Sequence, residues 1–254
     1  MSKLVDKLQR LSKSSIPPLG FRPAAEEAKS SPMLLIARLA GVDAKEAETL
    51  AGASVDAGLI LNEDVTTENV NQMVKAVGDI PLGVFLKGDS QGVSELIGAG
   101  CDFLVFDAKT AVKVLQGEKT GKFLMIEPSM DQGFVRAIDG LDIEAVFINL
   151  SGESFITVEH LLICQRFSEL LDKPLIVILP SLIEREELSS LRQAGVKGIV
   201  IPLGQSPEVL AELRKMMENL PREVKRRRTK PGAVLPHYGG DLAAEEEEEE
   251  EEEI

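Results

Sequence analysis

The sequence predicts an α/β fold, a (β/α)8 TIM barrel with an extra N-terminal helix and an acidic C-terminal tail. Three observations predict it: the length of 254 residues, eight short apolar runs in succession, and a helix-forming stretch between most of them. A closed barrel of eight βα units commonly takes about 250 residues. The runs recur at a spacing of roughly 20 to 29 residues, the mark of a repeated supersecondary unit.

The runs are Met33 to Leu39, Gly58 to Leu61, Leu82 to Leu86, Phe103 to Phe106, Phe123 to Ile126, Val146 to Leu150, Leu175 to Leu179 and Gly198 to Ile201. They are nearly continuous in apolar character rather than alternating, as expected of parallel strands covered on both faces. Helices are predicted between them. Asp43 caps the stretch from Ala44, Thr67 caps Glu68 to Val77, and Ser90 caps a short turn over Val93 to Ile97. Further helices are predicted over Lys109 to Leu115, Gln132 to Ile138, Val158 to Leu171, Glu184 to Gln193 and Pro207 to Asn219, the last with Ser206 as cap and proline at its first position. Glycines such as Gly100 and Gly195 stand where a left-handed residue would end a helix. Strict βα alternation gives parallel strands with right-handed crossovers. An open, doubly wound sheet is the alternative topology, but no Gly-x-Gly-x-x-Gly follows any strand to support a dinucleotide-binding version.

Three regions follow: residues 1–31, an N-terminal helix and proline-rich connector; 32–221, the barrel; and 222–254, a basic segment and an acidic tail. Leu4, Leu8 and Leu11 share one helical face, read as a plug for the closed end of the barrel, with self-association or membrane-surface attachment as the other readings. The net charge is −14, but nine of the acidic residues are the run Glu245 to Glu253, and without them it is −5. Such a block repels itself and has no apolar face to bury, so disorder is expected there. A basic protein partner could bind it. The cluster Lys225 to Lys230 is read as cations complementing a helix C-terminus, and the acidic body argues against a nucleic-acid partner.

No apolar run is long enough to span a bilayer, and the N-terminus lacks the apolar core of a secretory signal, so a cytoplasmic location is expected. Cys101 and Cys164 fall in buried segments and are expected to be unpaired thiols.

In barrel enzymes the chemistry lies at the C-terminal ends of the strands. The polar residues following the runs are therefore the candidates: Asn62, Lys87, Asp107, Glu127, Asn149 and Ser181, with Gly204, Gln205 and Ser206 after the last. Lys87, Asp107 and Glu127 are the expected catalytic group, because each is the first charge to end its strand and the three strands should be neighbours. Lys87 would stabilise charge or form a Schiff base; Asp107 and Glu127 would act as acid, base or Mg²⁺ ligand. Asn62, Asn149, Ser181, Gly204, Gln205 and Ser206 would bind a small anion. His160 lies in a predicted helix and His237 in the tail, so neither a histidine triad nor a multi-histidine metal site is expected.

The segment Pro180-Ser-Leu-Ile-Glu-Arg-Glu-Glu-Leu-Ser-Ser-Leu-Arg-Gln-Ala-Gly-Val-Lys-Gly-Ile-Val-Ile201 resembles the end of the aldolase-type barrels, notably the ribulose-phosphate-binding and flavin-linked groups. The resemblance implies a phosphate site between the last two strands, and it makes FMN a candidate cofactor beside Mg²⁺, although no specific motif indicates either. The paired glycines of that site are absent, for here the turn is Pro180-Ser181-Leu182 and the final element Gly204-Gln205-Ser206. Two functional classes follow: an enzyme acting on a small anionic metabolite, phosphorylated or not, or a catalytically silent barrel used for assembly, as a homo-oligomer or with a partner.

Overall fold

The computed structural model describes residues 2–14, 31–41, 44–62, 65–88, 92–116, 120–150 and 153–220. Eight parallel strands close in sequence order: β1 (Leu34–Leu39), β2 (Ala57–Ile60), β3 (Leu82–Leu86), β4 (Phe103–Asp107), β5 (Gly121–Ile126), β6 (Ala145–Asn149), β7 (Leu175–Ile178) and β8 (Val196–Ile201). Pairing of β1 with β8 completes the ring and excludes the open sheet. After a leading helix α1 (Lys3–Ser14), the crossovers are α2 (Ala44–Ala51), α3 (Thr67–Val77), α4 (Val93–Gly98), α5 (Gln132–Ala137), α6 (Val158–Leu170), α7 (Arg185–Gln193) and α8 (Pro207–Glu218). The basic segment, the poly-glutamate run, His237, and the caps proposed at Asp43 and Ser90 lie outside the described residues.

Three local expectations are corrected. The helix expected over Lys109 to Leu115 is only a 3-10 turn at Val112–Gln116. The cause is Asp107, whose Oδ1 accepts hydrogen bonds from the Lys109 amide at 2.9 Å and the Thr110 hydroxyl at 2.8 Å, holding the chain in a turn where a helix would start. The cap of α3 is Thr66, not Thr67; its Oγ1 accepts from the Asn69 amide. The short α4 starts from Gly92, a left-handed residue with φ 98°.

Side chains alternate between two cores. Those facing inward, including Ile36, Leu59, Phe103, Val105, Phe123, Phe147, Ile176 and Val200, fill the barrel; Leu35, Ile60, Val84, Leu104 and their like pack against the helices. Phe103, Phe123 and Phe147 form an edge-to-face row across the interior, with centroids 5.3 and 5.7 Å apart. Gly83 makes room for it, since a Cβ there would stand 2.1 Å from the Phe103 ring.

The N-terminal end is closed by α1, whose Leu4, Val5 and Leu8 join the interior core. Three acidic residues, each directly preceding an even-numbered strand, organise this end. Asp102 accepts from the Ser2 hydroxyl at 2.7 Å and from the amides of Lys3 at 2.8 Å and Leu4 at 3.1 Å, a carboxylate set on the positive end of α1. Asp56 accepts from the Leu35 amide and from Arg214 of α8, and Lys7 of α1 donates to its backbone carbonyl. Burial pushes the Lys7 amine down, and Asp56 opposes that. Glu144 accepts from the Lys122 amide; burial pushes its carboxyl up.

Cys101 and Cys164 are buried and unpaired, and burial pushes both thiols up to about 12 from 9.0. A rise of that size cuts the reactive thiolate fraction by roughly a thousandfold at neutral pH. Native protein should therefore show negligible labelling by Ellman's reagent over minutes at pH 8, and two thiols per chain once unfolded in guanidinium. Rapid labelling of the native state would show that one thiol is reached through local opening.

Candidate functional site at the barrel mouth

The rule that puts Ile36 and Phe123 inside the barrel also fixes which strand-end residues face its mouth. Continuing the alternation by one step past each inward core residue gives Arg38 on β1, Leu61 after β2, Lys87 after β3, Asp107 on β4, Glu127 after β5 and Asn149 on β6. The registers refine this. Leu86 pairs with Phe106, so Lys87 falls beside Asp107. Asp107 itself pairs with Met125, so Glu127 stands two residues further along its strand. Ile126 pairs with Ile148, which sets Glu127 beside Asn149. Lys87 and Asp107 are thus level and Glu127 stands one inward step higher, where equal register would put all three in one row; the stagger is the shear needed to close tilted strands.

Asp107 is partly buried and has one oxygen, Oδ1, engaged with residues 109 and 110. Its other oxygen has no hydrogen-bond partner among the described residues. Lys87, Glu127 and Asn149 are exposed to solvent at the mouth.

Arg38 was missed in the sequence because it interrupts an apolar run only once. Its signal is the alternation Leu34, Ile36, Arg38, which sets a guanidinium inside the mouth. Arg38 is exposed and makes no hydrogen bond or ion pair among the described residues. A guanidinium in that state presents its planar fork of donors to a carboxylate or phosphate.

The ends of β7 and β8 are built differently. Ser206 caps α8 with its Oγ accepting from the Val209 amide at 3.5 Å, and its carbonyl accepts from Leu210 at 3.1 Å. Pro207 has no N–H, and Glu208 turns its carboxylate back onto Ser206 and its own amide, which holds that carboxyl below its usual range. The first turn of α8 therefore satisfies its donors internally, and an incoming anion would compete with Glu208. Glu187 does the same at α7, accepting from the amides of Glu184 at 2.9 Å and Ile156 at 3.1 Å. Ser181 Oγ donates to the Leu182 carbonyl, and Gln205 Nε2 to that of Leu203, while Gly204 takes the left-handed turn at φ 76°. Asn62, following β2, is partly buried. Among the described residues no cluster of three or more His, Cys, Asp or Glu could hold a metal ion, and no helix is long and apolar enough to cross a membrane.

The strands and helices define a closed (β/α)8 TIM barrel, and solved structures share that fold. The chain is similar to a mutant tryptophan synthase alpha-subunit from Pyrococcus furiosus, at 15% identity over 74% of this chain and 97% of that one, with a TM-score of 0.59. Thiamine phosphate pyrophosphorylase from the same organism matches at 12% identity over 75% and 97%, with a TM-score of 0.55. Tryptophan synthase from M. tuberculosis, in its aminoacrylate-bound form, matches at 13% identity over 86% and 98%, with a TM-score of 0.57. No family model and no curated protein matches the sequence. At these identities the likeness is one of fold.

Proposed function

We propose that the protein is a cytoplasmic enzyme acting on a small anionic metabolite at the mouth of the barrel. The observation that carries this is the set Arg38, Lys87, Asp107 and Glu127, four ionisable side chains on the inward track of strands β1, β3, β4 and β5. The two cations attract and orient the anion, and Lys87 stabilises negative charge as it develops. Asp107, with Oδ1 fixed by its own loop, offers the free oxygen as a positioned proton acceptor. Glu127, one step higher beside Asn149, serves as the second acid or base. In this reading Asn62, Asn149, Ser181, Gly204, Gln205 and Ser206 shape the rim and bind the rest of the ligand. The fold shared with tryptophan synthase and thiamine phosphate pyrophosphorylase, both enzymes, supports this reading. The buried, unpaired thiols fit a reducing compartment. The regions 1–31, 32–221 and 222–254 keep the roles read from the sequence: plug and connector, barrel, and charged tail.

The test is a thermal melt against a panel of phosphorylated and carboxylated metabolites at millimolar concentration. A ligand present at about a hundred times its dissociation constant contributes about 2.7 kcal/mol to the native state, or roughly 5 to 10 °C for a domain of this size. The rise should vanish in Lys87→Ala and fall sharply in Arg38→Ala, while the unliganded melts stay within about a degree of wild type, both residues being exposed. No rise with any member of the panel would favour the silent-barrel reading.

A further inference from the structure

Helix α6 buries His160, Cys164 and Phe167 against the barrel, yet its opposite face begins with Val158 and Leu162, 73% and 63% exposed. A helix apolar on both faces is expected where both are covered. The uncovered face continues on both sides. Phe155, just before α6, is 56% exposed, Phe134 on the neighbouring α5 is 73% exposed, and Leu182, leading into α7, is 45% exposed. These elements are tied together: Arg166 of α6 donates to the carbonyls of Pro128 and Met130 ahead of α5, and the Ile156 amide donates to Glu187 of α7.

We propose that this face, centred on Val158 and Leu162, is the interface of a two-fold homodimer. Size is the first argument. The five side chains present on the order of 500 Å² of apolar surface, near the upper end of the largest patch on an ordinary monomer. Two copies face to face would remove on the order of 1,000 Å² from water before any rim contact is added, the threshold for a specific interface. Charge is the second. Exposed charges of both signs border the patch, the acids Asp131, Glu153, Glu159, Glu184 and Glu186 and the bases Arg136 and Arg185. A two-fold axis sets each patch against itself, so the bases of one copy can meet acids of the other.

Sedimentation velocity of the full chain across the micromolar range tests this. Wild type should sediment at twice the monomer mass, and Leu162→Glu and Phe134→Glu should each raise the dissociation constant at least a hundredfold, to give monomers with unchanged circular dichroism. Hydrogen exchange on wild type gives a second reading that needs no variant: amides of 153–162 should gain protection at high concentration over low. Wild type monomeric throughout the range would overturn the proposal, as would a dimer indifferent to both substitutions with no concentration-dependent protection. A monomer that instead cosediments with phosphatidylcholine–phosphatidylglycerol vesicles would overturn it in favour of a lipid surface.

Discussion

Phe123→Ala should remove about 3 to 5 kcal/mol of stability, a large share of the roughly 5 to 15 kcal/mol that holds an ordinary domain folded. Phe123 is fully buried on β5 and stands between Phe103 and Phe147, meeting both edge to face. The three rings occupy interior positions on successive strands, so removing the middle one leaves a cavity that neither neighbour can fill without leaving its own rotamer well. The melting temperature should drop by roughly 6 to 20 °C. Val112→Ala, at a side chain 74% exposed, should change stability by no more than about 0.5 kcal/mol. Equal effects from the two substitutions would mean that the aromatic row does not form the centre of the barrel core.

The second large effect is expected at the opposite end from the mouth. Asp102→Ala takes away the acceptor of three hydrogen bonds and the charge that complements the start of α1. The loss should be about 2 to 4 kcal/mol, more than a neutral cap contributes, because α1 also covers interior apolar surface through Leu4, Val5 and Leu8. Trypsin should then cut at Lys3, Lys7 or Arg10 well before it cuts the barrel, whereas in wild type the two regions should resist together. Asp102→Asn keeps an acceptor without the charge and should fall between. If Asp102→Ala leaves both the melt and the tryptic pattern unchanged, α1 is not held by that carboxylate.

Much of this architecture was readable in the sequence because parallel strands buried on both faces must be apolar throughout, and eight such runs alternating with helices favour a ring, although only the pairing of β1 with β8 excludes the open sheet. Local chemistry was harder to read. The stretch Lys109 to Leu115 has helical spacing, but the carboxylate at position 107 accepts from the Lys109 amide and the Thr110 hydroxyl and diverts the chain into a turn. Asp102 and Asp56 directly precede β4 and β2, and only the fold shows them joining α1 and α8 to the strands. At the mouth, Lys87, Asp107 and Glu127 could be named because each is the first charge to end its strand. The step that raises Glu127 above Lys87 and Asp107 could not, since strand register depends on pairing between distant segments. Arg38 was legible in principle from alternation but was absorbed into an apolar run. The α8 cap shows the converse limit: Ser206 and Pro207 mark a helix start, but that Glu208 turns back onto its own amide is a matter of rotamer, not of residue type.

The central claim is that the inward charges at the strand ends hold a small anion, and the most direct measurement is mass spectrometry of what the protein carries through purification. Protein isolated natively at low salt and then denatured should release one anionic small molecule, close to one per chain. The same preparation of Arg38→Ala/Lys87→Ala should release little or none while melting like the unliganded wild type. Recovery of the molecule from the double variant at wild-type stoichiometry would contradict the account, because the anion would then be bound somewhere other than the mouth.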